Sequence, residues 1–268
     1  MHSIKTRYRK LIFKLSASNN PLYLYFYKYV YRPKSNSISS FLDTYSRETD
    51  QFSVIQIGAN DGITHDPIHK FIKRDQWTGV LLEPQKYVFE RFLKHIYRLD
   101  HGITTLNAAL GYEDELGKIY KIGFSNARWA TGLTSFNREV LERAFESGHV
   151  QRQLKKEGQV LPQDKATYII EEEIEIISTE TLIQRYDVQQ IDLLQIDTEG
   201  FDYEVIKMFN LDVNTPNAII YENIHLSSDD KRASIHYLRD RGYEVRHFGG
   251  NTLAVQRESQ AIKHLNQE

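Results

Sequence analysis

From Phe52 onward, short β-branched and aliphatic runs alternate with stretches whose apolar residues recur at helical spacing. Each run has the length and apolar density of a strand buried on both faces. The pattern predicts strands at about 52–58, 78–83, 103–107, 191–196, 217–222, 243–248 and 251–256, with helices near 66–74, 86–97, 179–186, 201–209 and 228–241. Strand, turn and helix repeating in that order is the mark of βαβ units, which build a parallel sheet covered by helices. Gly249-Gly250-Asn251 joins the last two strands by a turn suited to a hairpin, so the sheet is expected to close with an antiparallel pair.

Two segments break the alternation. Between the third and fourth core strands, residues 111–177 form an expected insertion. Leu116–Phe124 and Ala166–Ile177 read as extended, partly antiparallel segments, and Asn137–Glu157 as one polar helix with Val140, Leu141, Phe145 and Val150 on its apolar stripe. Ahead of the core, Ile4, Tyr8, Leu11, Ile12 and Leu15 recur at helical spacing among Lys5, Arg7, Arg9, Lys10 and Lys14, which predicts a basic amphipathic helix. The run Leu22–Tyr31 is aromatic at nearly every position and fits a strand or a buried helix equally. The chain thus divides into a basic and aromatic extension at 1–45 and an α/β domain at 46–268.

Composition narrows the class. The 268 residues are 40% apolar and 26% charged, as in a soluble globular protein with a core large enough to need no covalent staples. The absence of cysteine excludes disulfides, thiolate metal sites and cysteine nucleophiles. No run approaches the ~18 apolar residues of a spanning helix, and the start of the chain lacks the pattern of a signal peptide, so the expected compartment is the cytoplasm. The net charge of −2 hides a polarity, because residues 1–34 hold eight Lys/Arg while every Asp and Glu lies beyond them. A basic arm precedes an acidic body, which argues against a broad nucleic-acid footprint.

The chemistry concentrates at predicted strand ends. Val54–Ile57 breaks into Gly58-Ala59-Asn60-Asp61-Gly62 ahead of a helix; glycine permits positive φ and close approach of a ligand, and the helix start offers free N–H groups. Twenty-five residues after Gly58, Glu83 ends the next strand and is stopped there by Pro84. An acid in that place suits a ribose diol. The third strand ends in Asn107-Ala108-Ala109, where small residues leave room for a flat base, and Asn107 either bonds that base or caps the turn. The fourth ends in Asp197-Thr198-Glu199-Gly200 before a helix carrying Asp202. Three acids so close repel one another unless a cation, such as a sulfonium or a metal, or a shared proton relieves them. The fifth strand brings Glu222 to the same end, with His225 just beyond, and either is placed to take a proton from an alcohol.

Together these residues resemble the FkbM-type family of class I methyltransferases, over about Phe52 to Gln256. Ile57–Gly62, Leu82-Glu83-Pro84, Asn107-Ala108-Ala109 and Ile196–Gly200 carry the likeness. The resemblance implies a Rossmann-like, mostly parallel seven-stranded sheet with a C-terminal antiparallel hairpin, and S-adenosylmethionine as cofactor. By it Gly58, Asn60 and Gly62 would line the methionine moiety, Glu83 the ribose, and Asp197 the methyl-transfer chamber, with Ala59, Asp61, Asn107 and Ala108 completing the cofactor-binding set.

The function expected is O-methylation of a hydroxyl on a sugar, glycan or related small molecule, with Asp197, Glu222 and His225 as the catalytic candidates. No metal is required; one held by Asp197, Glu199 and Glu222 would be Mg²⁺ or Mn²⁺. A nicotinamide-dependent oxidoreductase is disfavoured because the Gly-x-Gly-x-x-Gly spacing is missing. A base-amine methyltransferase is disfavoured because no Asn/Asp-Pro-Pro-aromatic sequence follows the fourth strand. The remaining alternative is an idle scaffold that uses its arm to meet membrane or glycan. The helix at 4–15 either touches the inner face of a membrane peripherally, the reading preferred here, or packs on the domain and helps close its pocket; the aromatic run is expected to pack on the domain.

Overall fold

The computed structural model describes residues 2–265, with side chains from residue 7 onward; Ile4 and Lys5 of the predicted basic helix therefore have side chains outside the described set. The described residues form ten strands: β1 (Ser53–Ile57), β2 (Thr78–Leu82), β3 (Ile103–Leu106), β4 (Ala108–Gly111), β5 (Glu115–Ile122), β6 (Ile169–Ser178), β7 (Leu193–Ile196), β8 (Ala218–Glu222), β9 (Tyr243–Phe248) and β10 (Asn251–Gln256). Seven build one sheet in the order β3-β2-β1-β7-β8-β10-β9, and three build a second in the order β4-β6-β5. In the large sheet only β10 runs against its neighbours. This is the winding of a class I methyltransferase. Sheet growth reverses between β1 and β7, so the crevice at their carboxyl ends is the topological switch point where open α/β sheets place ligands.

The core follows from strands that are apolar on both faces. Val54, Leu81, Leu193, Ile220 and Leu253 face one layer of helices, and Ile55, Val80, Leu194, Ile219 and Ala254 face the other. The first layer contains a helix that the alternation pattern did not reveal, Ile38–Glu48, which crosses the boundary drawn at residue 45. Ser37 and Ser40 close a reciprocal capping box at its start. Its buried face is Ile38, Phe41, Leu42 and Tyr45, and Tyr45 Oη donates to Asp192 Oδ1 at 3.1 Å, beside the start of β1. Trp77 fills the same layer, stacked on Phe52 at 4.1 Å between ring centroids.

The insertion is a cap with its own small core. β5 and β6 are antiparallel, as their sequence suggests, and β6 runs parallel to β4. The single helix expected at 137–157 is two, Arg138–Glu146 and His149–Glu157. The break falls at Ser147-Gly148, where Gly148 takes φ +71° and cannot continue a right-handed helix. Leu141, Val150 and Leu154 are buried against Ile122 and Ala130.

At the N-terminus, helix His2–Ala17 turns at Ser18–Asn20 into a second helix. Pro21–Tyr25 continues as a π-helical turn, Phe26–Val30, so the aromatic run is helical. Asn20 caps it by accepting from the Leu22 and Tyr23 N–H groups. The hairpin is fastened to the domain at His69, whose Nε2 contacts Ser16 Oγ (2.9 Å) and Tyr23 Oη (3.2 Å) while its Nδ1 contacts Tyr97 Oη (3.1 Å). Burial pushes the His69 pKa down to about 3, so the ring is neutral. Phe13 packs edge-on against Phe92, and Lys73 Nζ joins Asn19 Oδ1 to Asp100. Packing of the aromatic run is one-sided: Tyr23 is buried, whereas Tyr25, Phe26, Tyr29 and Val30 remain exposed. No helix among the described residues is long and apolar enough to cross a membrane.

Candidate active site

The carboxyl ends of β1, β2 and β7 open into a cavity of ≈ 680 Å³ roofed by the cap, within the usual size of a small-molecule site. Its floor is the loop after β1. Gly58 takes φ +81°, and a Cβ on it would stand 1.9 Å from the Asp197 carbonyl oxygen, so only glycine lets these strand ends come together. Gly58 and Ala59 donate their N–H groups to Leu82 O, and Asp197 donates to Ile57 O, which fixes the loop across three strands.

Glu83 is the hub of the loop. Its Oε2 accepts from Asn60 N at 2.8 Å and its Oε1 from Gln85 N at 2.9 Å. Burial pushes its pKa up to about 7 against the pull of those two hydrogen bonds, with the Asp197 charge adding to the rise. Asn60, at φ +47°, is held in the left-handed region by this contact.

Across the cavity, Asp197 is raised to about 6 by burial and by Asp202 and Asp66. Glu199 is raised to about 8 by burial and by Asp197 and Glu222. Glu199 sits at φ +53°, a conformation that costs a β-carbon-bearing residue on the order of 1 kcal/mol, and its carboxylate faces the cavity. Asp202 has a different task. Its carboxylate accepts from Thr198 Oγ1, Gly200 N and Glu222 N, tying the ends of β7 and β8 to the helix it begins.

The structure divides the residues singled out from sequence. Gly58, Ala59, Asn60, Glu83, Ala108, Asp197 and Glu199 line the cavity. Glu222 and His225 stand behind Glu199, with His225 Nε2 3.3 Å from Glu199 Oε2 and 3.6 Å from Glu222 Oε2. These three side chains, rather than Asp197 with the two glutamates, bring their ligand atoms within 4.8 Å of one another. Gly62 packs away from the cavity, where a Cβ would press on Leu93 and Tyr97. Asp61 caps the following turn through Ile63 N and Thr64 N and pairs with Arg128 Nη1 at 2.7 Å. Asn107 donates to Glu83 O and Pro84 O, the turn-capping alternative of the two left open by its sequence.

Residues that no motif announced complete the cavity. Gln56 and Gln195 are register partners on β1 and β7, both buried, and each has an Oε1 without a hydrogen-bond partner. Trp129 of the cap adds a third such atom, Nε1. Three of the five orphaned polar atoms found among the described residues thus belong to side chains that line this one cavity. Arg9, from the N-terminal helix, and Gln153, from the cap, also line it. A glutamine pair inside an apolar strand run was the one readable sign; Arg9, Trp129 and Arg128 arrive by long-range packing.

The sequence profile described as methyltransferase FkbM domain matches residues 56–245. No curated protein gives a significant sequence match. Among solved structures, the chain is similar to cofactor-bound Rv0187 from MTB, with 12% identity, 91% of this chain and 90% of that one covered, and a TM-score of 0.43. It is similar to the O-methyltransferase from Bacillus cereus in complex with SAH, with 11% identity, 92% and 90% coverage and a TM-score of 0.40. It is also similar to precorrin-6y C5,15-methyltransferase from Geobacter metallireducens GS-15, with 10% identity, 84% and 94% coverage and a TM-score of 0.38. A profile spanning most of the chain, on the strand order described above, decides the family: the chain belongs to the FkbM methyltransferase domain family, with S-adenosylmethionine as its methyl donor.

Proposed function

We propose that the protein transfers a methyl group to a hydroxyl on a sugar, glycan or related small molecule. The observation that carries the reading is that three side chains holding unpartnered buried polar atoms, Gln56, Gln195 and Trp129, line one cavity together with Glu83 and Asp197. These residues fit the donor. Glu83 has lone pairs left over for a ribose diol, the paired glutamine oxygens are acceptors for an α-amino group, and Ala108 and Ala109 leave a flat wall for a base. When bound, the donor supplies an activated methyl group on a cationic sulfur.

The chain's own residues would do the rest. Asp197 and Glu199 place negative charge beside the cavity, which suits a sulfonium and relieves their mutual repulsion. Glu199, with a pKa near the working range, would take the proton of the attacking hydroxyl. His225, between Glu199 and Glu222, would orient that carboxylate, and so Glu222 and His225 would act through Glu199. Trp129 and Phe136 offer apolar faces and Gln153 a polar edge to an acceptor such as a sugar ring. The cap and the N-terminal helix would exclude water and hold the hydroxyl in line. The exposed Tyr8 and Leu11 of that helix support a peripheral membrane contact of residues 4–15, where lipid-linked acceptors would be met.

A labelled-donor assay over a panel of glycans and small hydroxyl compounds tests the reading: the product is expected to carry an O-methyl group, and label found only on nitrogen or carbon would overturn it. The grouping of Glu199, Glu222 and His225 supports a second reading in which Mg²⁺ or Mn²⁺ is held there. Full activity in excess chelator would remove it.

A further inference from the structure

The N-terminal hairpin is apolar on two sides, and the domain covers only one of them. On the inner side Tyr23, Tyr27 and Tyr31 pack in series, edge-to-face and then tilted, with ring centroids 4.9 and 5.5 Å apart. On the outer side Leu22, Tyr25, Phe26, Tyr29 and Val30 recur at i, i+3, i+4, i+7 and i+8, and their exposure runs from 47% at Phe26 to 80% at Leu22. A helix apolar all round is ordinarily buried all round. Tyr8 and Leu11 of the first helix are exposed as well, at 63% and 53%.

Charge says what covers this face. No acidic residue precedes Asp43, while Arg7, Arg9, Lys10, Lys14, Lys28, Arg32 and Lys34 are all exposed. At the foot of the aromatic stripe lies a shallow groove of ≈ 370 Å³ lined by Lys28, Tyr29, Arg32, Asp43 and Arg47. The Asp43 carboxylate already pairs with Arg47 and Arg74. Lys28 and Arg32 have no acidic partner among the described residues, so the groove is a place for anions. A second copy of the chain would bring like charge against like charge. Nucleic acid would leave the aliphatic Leu22 and Val30 without use. Tyrosine and phenylalanine rings beside lysine and arginine suit the headgroup level of an anionic bilayer.

We propose that the outer side of the second helix, Leu22 to Val30, docks on an anionic phospholipid bilayer, with headgroup phosphates in the groove of Lys28, Arg32 and Arg47. The inference rests on the membrane contact proposed for residues 4–15 and moves the main contact to the aromatic segment. Because His69 clamps Ser16 and Tyr23 together, the hairpin is a fixed platform. Arg9 on its first helix lines the reaction cavity, so docking brings that cavity to the membrane surface.

Flotation of the full chain with vesicles of phosphatidylcholine, alone or mixed with phosphatidylglycerol, tests this. Binding is expected only to the mixed vesicles and is expected to weaken as salt screens the basic residues. The double variant Phe26→Ser/Val30→Ser should lose about tenfold or more in vesicle affinity, with its thermal midpoint and donor affinity unchanged. Lys28→Glu/Arg32→Glu should abolish the preference for phosphatidylglycerol. Tyr8→Ser/Leu11→Ser should lose less than the first pair. If only that last variant loses binding, the first-helix contact stands and the platform is overturned. If the unmodified chain ignores mixed vesicles at low salt, both are overturned. A dimer in solution that Phe26→Ser/Val30→Ser dissociates would identify a second copy as the occupant and overturn the lipid assignment.

Discussion

Asn60 donates its backbone N–H to Glu83 Oε2 at 2.8 Å, so the carboxylate at the end of β2 also sets the shape of the loop after β1. Removing it would disturb two things at once. Glu83→Ala is expected to weaken S-adenosylmethionine binding about ten- to hundredfold, the ~1.5–3 kcal/mol of a hydrogen bond to a charged group. It should also lower the thermal midpoint, because Asn60 N and Gln85 N lose their acceptor. Glu83→Gln, which keeps one acceptor oxygen, should lose less of both. Calorimetry that finds Glu83→Ala binding the donor as tightly as the parent removes Glu83 from the site.

Gly58 permits no side chain. Its φ of +81° and the Asp197 carbonyl 1.9 Å from the position of a Cβ make Gly58→Ala a backbone clash. The variant is expected to lose measurable donor binding and to be destabilised by ~2 kcal/mol or more. Gly249→Ala, at φ +62° with nothing within 4 Å of its Cβ, serves as the control and should cost only the milder left-handed strain. Equal effects of the two would contradict the close approach of β1 and β7.

The carboxylates around Glu199 divide binding from chemistry. Glu199→Gln is expected to lower kcat by about 10²–10⁴ while leaving donor affinity within a few-fold. His225→Gln should lower kcat less and move the ascending limb of the kcat–pH profile to higher pH, because a carboxylate loses its imidazole neighbour. A His225→Gln profile that overlays the parent would leave the histidine without a part in the reaction.

Stability should fall with rising pH in a range where most proteins are level. Glu83 and Glu199 have pKa values near 7 and 8 in the folded chain against an ordinary 4.5. The folded state therefore holds more protons than the unfolded one, and the stabilisation present below 4.5 is lost as pH climbs through 7 and 8. His69 contributes the opposite slope, but only below its ordinary 6.5. Between about pH 6.5 and 8 the thermal midpoint of the donor-free chain is expected to decline. Glu83→Gln should flatten the decline, and a parent midpoint that rises over this interval would show these carboxylates to be ordinary.

The large sheet was legible because its strands are compact β-branched or aliphatic runs of strand length, and the strand-end motifs lay where such runs stop. The helix Ile38–Glu48 escaped that reading although Ile38, Phe41, Leu42 and Tyr45 keep a helical period, because the extension led by the neighbouring aromatic run was carried to residue 45, inside it. Leu22–Tyr31 was ambiguous for a physical reason: residues apolar on all sides give no period, and tertiary contacts, such as those of Tyr23 with His69 and of Tyr31 with Lys70, distinguish in from out. In the candidate site, positions set by local turns, such as Gly58 and Glu83, could be read directly. Arg9, Arg128 and Trp129 could not, since their meaning depends on which distant segment folds over them.

Gly111 and Ser178 are register partners on β4 and β6, so the chain departs for the cap and returns from it at adjacent points. Everything between them is a closed excursion, joined back to the donor side through Arg128–Asp61 and through the Gln85 side chain with Thr131 and Thr134. The segment is therefore an exchangeable cassette. Replacing residues 123–168, which run between the register partners Ile122 and Ile169, with a loop of another length and lining would leave both sheets in place and β4 on its partner β6; under the proposed function, descent or design could retarget the acceptor without rebuilding the half that would hold the methyl donor.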